Sequence, residues 1–326
     1  MNGTGRIFRI GLFGESHGHG IGVTIDGCPP GVPLTSEDFN TDLSRRRAGK
    51  AGTTPRVEDD LPDLISGHFN GHTTGAPLTI MFRNMNVRSG DYSDLREIPR
   101  PGHSDFVAYK RYKGFNDYRG GGHFSGRLTL CLVAAGVVAK KLITPVTIEA
   151  VIINAGGEKD IGKAVAAAME DGDSVGGIVE CIARDIPVGW GEPFFDSVES
   201  VISHLVFSIP AIKGVEFGSG FNAASMRGSE HNDLIVDDSG RTATNNAGGI
   251  SGGITNGNDL VFRVAVKPTS SISVTQSTYS IKSGNIEELK VKGRHDACIA
   301  LRVPVVLEAI TAIALADFKL MAEGRS

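Results

Sequence analysis

Apolar positions fall into two kinds of pattern along this chain. Short alternating or β-rich runs at residues 6–13 (RIFRIGLF), 22–26, 61–69, 77–82, 146–154, 177–186 and 260–266 predict strands with one buried face. Longer segments predict helices at about 35–43, 161–170 and 196–207. Two more, Leu128 to Ile143 (LTLCLVAAGVVAKKLI) and about Pro304 to Met321, are apolar nearly all round, which suits helices buried between other layers rather than lying on a surface. Turn chemistry separates these elements at Cys28-Pro29-Pro30-Gly31, Thr73-Thr74-Gly75 and Ser283-Gly284-Asn285, and two glycine-rich loops cover 218–233 and 244–259.

An internal repeat emerges when the halves are compared. TTGAPLTIMFR at 73–83 matches TNGNDLVFR at 255–263, and each half then runs through a Gly- and His-bearing loop into one of the all-round apolar helices. The expectation is one α+β domain over 1–326, built from two pseudo-repeats of about 1–145 and 146–326. Two sheets would enclose the buried helices, and the loops would meet between them.

Composition adds a bias toward small anions. The net charge is only −4, yet residues 1–130 hold 16 basic residues, 13 of them Arg, against 14 acidic ones, while the remainder holds 17 against 23. Arg presents a planar, permanently charged fork suited to carboxylate and phosphate. A pI near 6.1 argues against nucleic acid as partner. Four scattered Cys without a C-x-x-C pair point to a reducing compartment and to neither disulfides nor zinc; no His pair has metal-binding helical spacing either. With no secretory signal pattern and no apolar run read as long enough to span a bilayer, the expected location is the cytoplasm, away from membranes.

Residues 100–127 concentrate the candidate chemistry: six Lys or Arg, two Asp, two His, six Gly and six aromatics in 28 positions. A solvated basic loop would look similar, but this one leads into a buried helix, whose N-terminal N–H groups favour anions. His17, set among glycines beside Glu15 and Ser16, and His103, two residues before Asp105, are candidate proton carriers. Lys267-Pro268-Thr269-Ser270-Ser271 follows a strand and offers a cation, hydroxyls and amides for a phosphate. Arg294-His295-Asp296 places a carboxylate beside an Arg that would hold it ionised. Together these features indicate an enzyme acting on a polyanionic small molecule, and leave the reaction open.

The ordered set GESHGHGIGVTIDGCPPG (14–31), RRRAG (45–49), TTPRVEDD (53–60), RPGHSDFVAYKRY (100–112), DYRGGG (117–122), NNAGGISGGITNG (245–257), KPTSSI (267–272) and GRHDACIALR (293–302) resembles the chorismate synthases over nearly the whole chain. The resemblance implies a β-α-β sandwich with internal duplication, usually a homotetramer. It implies a lyase that converts 5-enolpyruvylshikimate 3-phosphate to chorismate and phosphate by a 1,4-anti elimination, with reduced FMN and no net redox change. His17 would protonate the departing phosphate, His103 the reduced flavin, and Asp296 would assist proton removal at the flavin N5. Ser16, Arg46, Arg47 and Arg127 would hold substrate anions. FMN would lie against Arg46, His123, Phe124, Ser125, Pro210, Ala211, Gly252, Lys267, Pro268, Thr269, Ser270, Ser271 and Arg294. The absence of a separate nicotinamide-binding domain favours an external flavin reductase, with NADPH as an indirect reductant. The chain departs from many members at His123–Thr129, which lacks their acidic residue, at Ala48 in place of Pro, at Pro210 in place of Asn, and near 155–162, which is shorter. The alternative is a flavin-binding protein of the same fold without catalysis.

Overall fold

Alternation along the strands sets up two sheets whose apolar faces must be covered. The computed structural model describes residues 2–49, 51–54, 58–85, 94–291 and 295–324. The first half contains β1 (Gly3–Thr4), β2 (Arg9–Gly14), β3 (Gly20–Asp26), α1 (Asn40–Arg46), β4 (Asp63–Ser66), β5 (His68–Phe69), β6 (His72–Thr73), β7 (Leu78–Arg83), α2 (Asp105–Arg111) and α3 (Thr129–Leu142). The second contains β8 (Thr147–Ala155), α4 (Ile161–Glu170), β9 (Gly177–Arg184), α5 (Val198–Val206), β10 (Ile212–Phe217), α6 (Gly228–His231), β11 (Ile250–Ser251), β12 (Ile254–Thr255), β13 (Leu260–Val266), β14 (Gln276–Tyr279), β15 (Ile286–Leu289) and α7 (Val303–Glu323).

One sheet has the order β1-β2-β3-β7-β4 and the other β10-β13-β9-β8, with every pairing antiparallel. Their connectivities coincide: β2-β3-β7-β4 in the first half corresponds to β8-β9-β13-β10 in the second. In each, a helix follows the second strand and a long buried helix closes the half. In the first sheet Ile21, Val23 and Ile25 of β3 lie opposite Phe82, Ile80 and Leu78 of β7, all fully buried. In the second, Leu260, Phe262 and Val264 of β13 face inward with Ala183, Cys181 and Val179 of β9. α3 packs on the first sheet, α7 on the second, and the two helices pack on each other. The fold class is thus α+β, with helices sandwiched between two antiparallel sheets.

That layer is tight because its helices touch backbone to backbone. A Cβ on Gly136 of α3 would sit 2.5 Å from the Ala309 Cα of α7. Gly136→Val is therefore expected to force α3 and α7 apart and destabilise the chain by about 1–3 kcal/mol, read as a lowered urea midpoint with an unchanged slope. A second tie comes from Asp317, a buried carboxylate on the mostly apolar α7. It accepts the backbone N–H groups of Arg6, Ile7 and Phe8 at 2.7, 2.7 and 2.8 Å. Truncating it leaves buried donors unpaired, so Asp317→Ala is expected to lose about 2–4 kcal/mol in the same titration.

Several elements differ from the sequence reading. Residues 61–69 form two strands, because the chain turns at Gly67 (φ +74), where a Cβ would lie 2.5 Å from Leu78 Cα. The helix expected from Thr35 begins as a 3-10 turn, Ser36–Phe39, and continues as α1 to Arg46, so Arg45 and Arg46 belong to the helix. Strand β10 was not anticipated, since Gly214 and a bulge interrupt its alternation. The segments Arg119–Leu142 and Ile299–Glu323 are long and apolar enough to cross a membrane, contrary to the reading that no run is, but 78% of each apolar window is buried inside the protein.

Candidate active site

A cleft of about 890 Å³ opens where the N-terminal ends of α3 and α7 converge, a size suited to small molecules. Among the described residues, its walls carry Arg46, Arg47, Arg100, Arg127, Lys267 and Arg302 against Glu58, Asp60 and Asp296. Cations therefore outnumber carboxylates two to one.

The glycine run at 120–122 organises one wall. All three residues have positive φ, and a Cβ on Gly120 would lie 2.4 Å from His17 Cδ2 and 2.9 Å from Ser16 Oγ. Gly121 faces the Cε1 and Nε2 edge of His103. Two successive glycines thus let one backbone segment pass between two histidines. Ser16 N donates to Gly122 O (3.1 Å) and His123 Nδ1 bonds Gly14 O (2.8 Å), which clamps the β2–β3 loop against this segment. Ser16 and His17 are buried behind Gly120, while Gly120, His103, His123, Phe124 and Ser125 line the cleft.

The arginines sit in a connected row. Arg46 is 3% exposed; its Nε donates to Thr129 Oγ1 (3.1 Å) and its Nη2 to Gly126 O (2.9 Å). Burial, then the nearby Arg302, pulls its pKa down to about 9, which still leaves it charged at neutral pH. Arg127 donates to Asn84 Oδ1 (2.7 Å) and to Asp60 Oδ1 (2.9 Å), so its guanidinium is already paired within the chain. Asp60 adopts φ +49, an uncommon backbone state for a residue with a side chain, of the kind that collects at functional sites. Arg302 lies 3.4 Å from Asp296 and donates Nε to Arg46 O (3.2 Å). Asp296 also accepts the Thr54 N–H at 3.0 Å. Arg302 thus fills, among the described residues, the place that the sequence reading gave to Arg294, which lies outside them.

The opposite wall is the 267–271 loop. Lys267 Nζ donates to Ser270 Oγ (2.6 Å), Ser270 Oγ to Gly102 O (2.7 Å), and Arg100 Nη1 to Ser271 Oγ (2.8 Å). Lys267 N bonds Ala211 O (2.9 Å), which brings Pro210 and Ala211 (φ +74) to the same wall. Two buried donors lining the cleft, Thr269 Oγ1 on this loop and Arg47 Nε at the end of α1, have no hydrogen-bond partner among the described residues. Such orphans fit a site that completes its hydrogen bonding with an anionic ligand. Gly252 is not at this wall; it is exposed at the β11–β12 turn, with open space around its Cα. Arg100, Asp105, Asp60 and Arg302 were not singled out from the sequence, although all lie within the motifs quoted above.

His103 and Asp105 at the site, with Glu308 of α7 outside the cleft, set an acid response. Burial lowers the pKa of His103, more than the Asp105 hydrogen bond raises it. For Asp105 and Glu308, burial works upward, but hydrogen bonds, from Arg100 and His103 to the first and from Arg45 to the second, outweigh it and hold both below the usual carboxylate range. All three bind fewer protons folded than unfolded, so their stability is present above the unfolded pKa values of about 3.9, 4.3 and 6.5 and is lost as pH falls through the folded ones. The urea midpoint is expected to decline from pH 7 to pH 3, first through His103 and then through the carboxylates.

Comparison with known proteins gives a consistent answer. A family model described as chorismate synthase matches residues 8–320. A chorismate synthase from Chitinophaga pinensis is 65% identical, covering 100% of this chain and 98% of that protein. One from Korarchaeum cryptofilum is 45% identical, covering 96% of each. A solved structure titled "Crystal Structure of Chorismate Synthase" superposes with a TM-score of 0.76 at 27% identity, over 98% of this chain and 94% of that one. On these matches, the chain belongs to the chorismate synthase family and is a lyase of that class.

Proposed function

We propose that this cleft binds 5-enolpyruvylshikimate 3-phosphate beside reduced FMN, and that the chain acts in the cytoplasm as a homotetramer. The observation that carries the site reading is the excess of arginine and lysine in a cleft that also holds His103, with Arg47 Nε and Thr269 Oγ1 lacking a hydrogen-bond partner among the described residues. The substrate has two carboxylates and a phosphate, and FMN adds another phosphate, so both call for this charge. When bound, reduced flavin supplies electron density that assists loss of phosphate and is not consumed.

The chain's own groups divide the remaining work. Arg46 and Arg47 hold substrate anions, and Arg127 does so while steadied by Asp60 and Asn84. Ser16 would hold a substrate anion next to His17, which would give its proton to the departing phosphate oxygen; both lie behind Gly120, so this contact requires the 120–122 segment to move aside. His103 would pass a proton to the reduced flavin. Asp296, oriented by Thr54 N–H and Arg302, would assist proton removal at the flavin N5 after the substrate C6 proton is lost. Arg46, His123, Phe124, Ser125, Pro210, Ala211, Lys267, Pro268, Thr269, Ser270, Ser271 and Arg294 form the flavin set. A contact from Gly252 would require a second copy of the chain, because that turn lies outside its own cleft. The shared connectivity of the two sheets supports a duplication of about 1–145 and 146–326 within one domain.

An external reductase, with NADPH as the indirect source of electrons, supplies the reduced flavin. Turnover with dithionite-reduced FMN but none with NADPH and oxidised FMN supports this; equal rates in the two assays contradict it.

A further inference from the structure

His103 is held by a buried ion pair. Its Nδ1 lies 2.6 Å from Asp105 Oδ1. Arg100 grips the same carboxylate through Nε to Oδ2 (2.7 Å), Nη2 to Oδ1 (2.8 Å) and its backbone N to Oδ2 (3.1 Å). The remaining Nη1 of Arg100 reaches Ser271 Oγ, so the assembly is fixed to the 267–271 loop. Side-chain exposures of 5% for Arg100, 11% for Asp105 and 22% for His103 place the group largely out of water. The far edge of the ring, Cε1 and Nε2, faces Gly121.

A ring nitrogen this close to a carboxylate carries the proton. Arg100 Nη2 is also 3.1 Å from Nδ1, but two N–H donors cannot bond each other, and both converge on Asp105 Oδ1. The proton therefore sits on Nδ1, and Nε2 of the neutral ring is left as an acceptor. We infer that Asp105 is a positioning residue that fixes His103 in the Nδ1–H tautomer and aims Nε2 at the cleft, with Arg100 locking the carboxylate in place. This rests on His103 being a proton carrier in the proposed reaction.

Arg100 changes what the pair does. A lone carboxylate behind a histidine favours the charged ring, whereas here the guanidinium offsets most of that charge. Among the described residues, the charged groups that face His103 are Asp105, Arg100 and Lys267. Burial, with Arg100 and Lys267, keeps the ring below its ordinary pKa despite Asp105. It is neutral at pH 7 and takes up a proton when an anion arrives beside Nε2.

Asp105→Asn tests this by geometry. The amide has one oxygen, and the Oδ2 position faces two Arg100 donors, so the oxygen settles there and the NH₂ turns to Nδ1. That makes Nδ1 an acceptor and moves the ring proton to Nε2, the tautomer error produced by the equivalent change behind a serine-protease histidine. Imidazole ¹⁵N-labelled full-length protein, assigned with His103→Gln, reports the tautomer by long-range ¹H–¹⁵N NMR without substrate. The wild type is expected to show Nδ1–H with a midpoint below about 6.5. Asp105→Asn is expected to show Nε2–H, a lower midpoint, and a kcat reduced about 10²-fold with KM within about threefold. Asp105→Glu should recover the Nδ1–H signal and most of the turnover. A wild-type ring protonated on Nε2 overturns the inference, and decides it even if Asp105→Asn does not fold. So does a folded Asp105→Asn that keeps Nδ1–H and an unchanged kcat–pH profile. A wild type with Nδ1–H but no turnover overturns the proposed reaction and leaves the tautomer assignment standing.

Discussion

His17→Ala and His103→Ala are each expected to lower kcat by about 10²–10⁴-fold, the range that one positioned acid or base contributes. KM for the enolpyruvyl substrate should change far less, because Arg46 and Arg47 keep their places in both variants. The two differ in where the loss arises. His17 is buried behind Gly120, so its truncation removes a proton donor without reshaping the cleft wall. His103 lines the cleft and is tied to Arg100 and Asp105, so its loss also leaves Asp105 with one fewer partner beside Arg100. Steady-state kinetics with reduced FMN in excess separates kcat from KM. A variant with wild-type kcat would remove that histidine from the mechanism.

Gly120→Ala should be nearly as damaging to turnover as His17→Ala, although it deletes no functional group. The φ of Gly120 is +58, which alone costs a residue with a Cβ about 1–2 kcal/mol. The new methyl would also lie 2.4 Å from His17 Cδ2 and 2.5 Å from Nε2, so the ring must move. Gly121→Ala is the control. It carries comparable strain at φ +81, but its nearest contact is an ordinary 3.6 Å. Gly120→Ala should lose at least as much stability in urea as Gly121→Ala, and only Gly120→Ala should also lose most of its kcat. Equal activities would show that the close approach to His17 does not matter.

Elements with a strong period were legible before folding. Helix α4 and strand β13 lie at the residues expected, and both buried helices appear within a few residues of their predicted ends. Helix α2 was hidden because its seven residues mix charge and aromatics and follow Pro101-Gly102, so no apolar stripe marks it. Residues 155–162 close as a tight turn at Gly156-Gly157 before α4.

The site divides in the same way. Residues with distinctive chemistry, such as His17, His103, Arg46 and Lys267, stood out by type and neighbours. Their partners did not. Asp60 matters because folding places it against Arg127, 67 positions away, and Arg100 because it meets Ser271, 171 positions away. No local pattern carries that information; the φ of Asp60 and the burial of Arg100 do, and both are properties of the folded chain.

The most direct test of the whole account is anaerobic turnover. Purified protein, dithionite-reduced FMN and 5-enolpyruvylshikimate 3-phosphate are mixed, and chorismate and inorganic phosphate are measured together. Equimolar chorismate and phosphate, with the flavin still reduced at the end, is the predicted result. Folded protein that forms no chorismate under these conditions, or that consumes flavin in proportion to product, would contradict it.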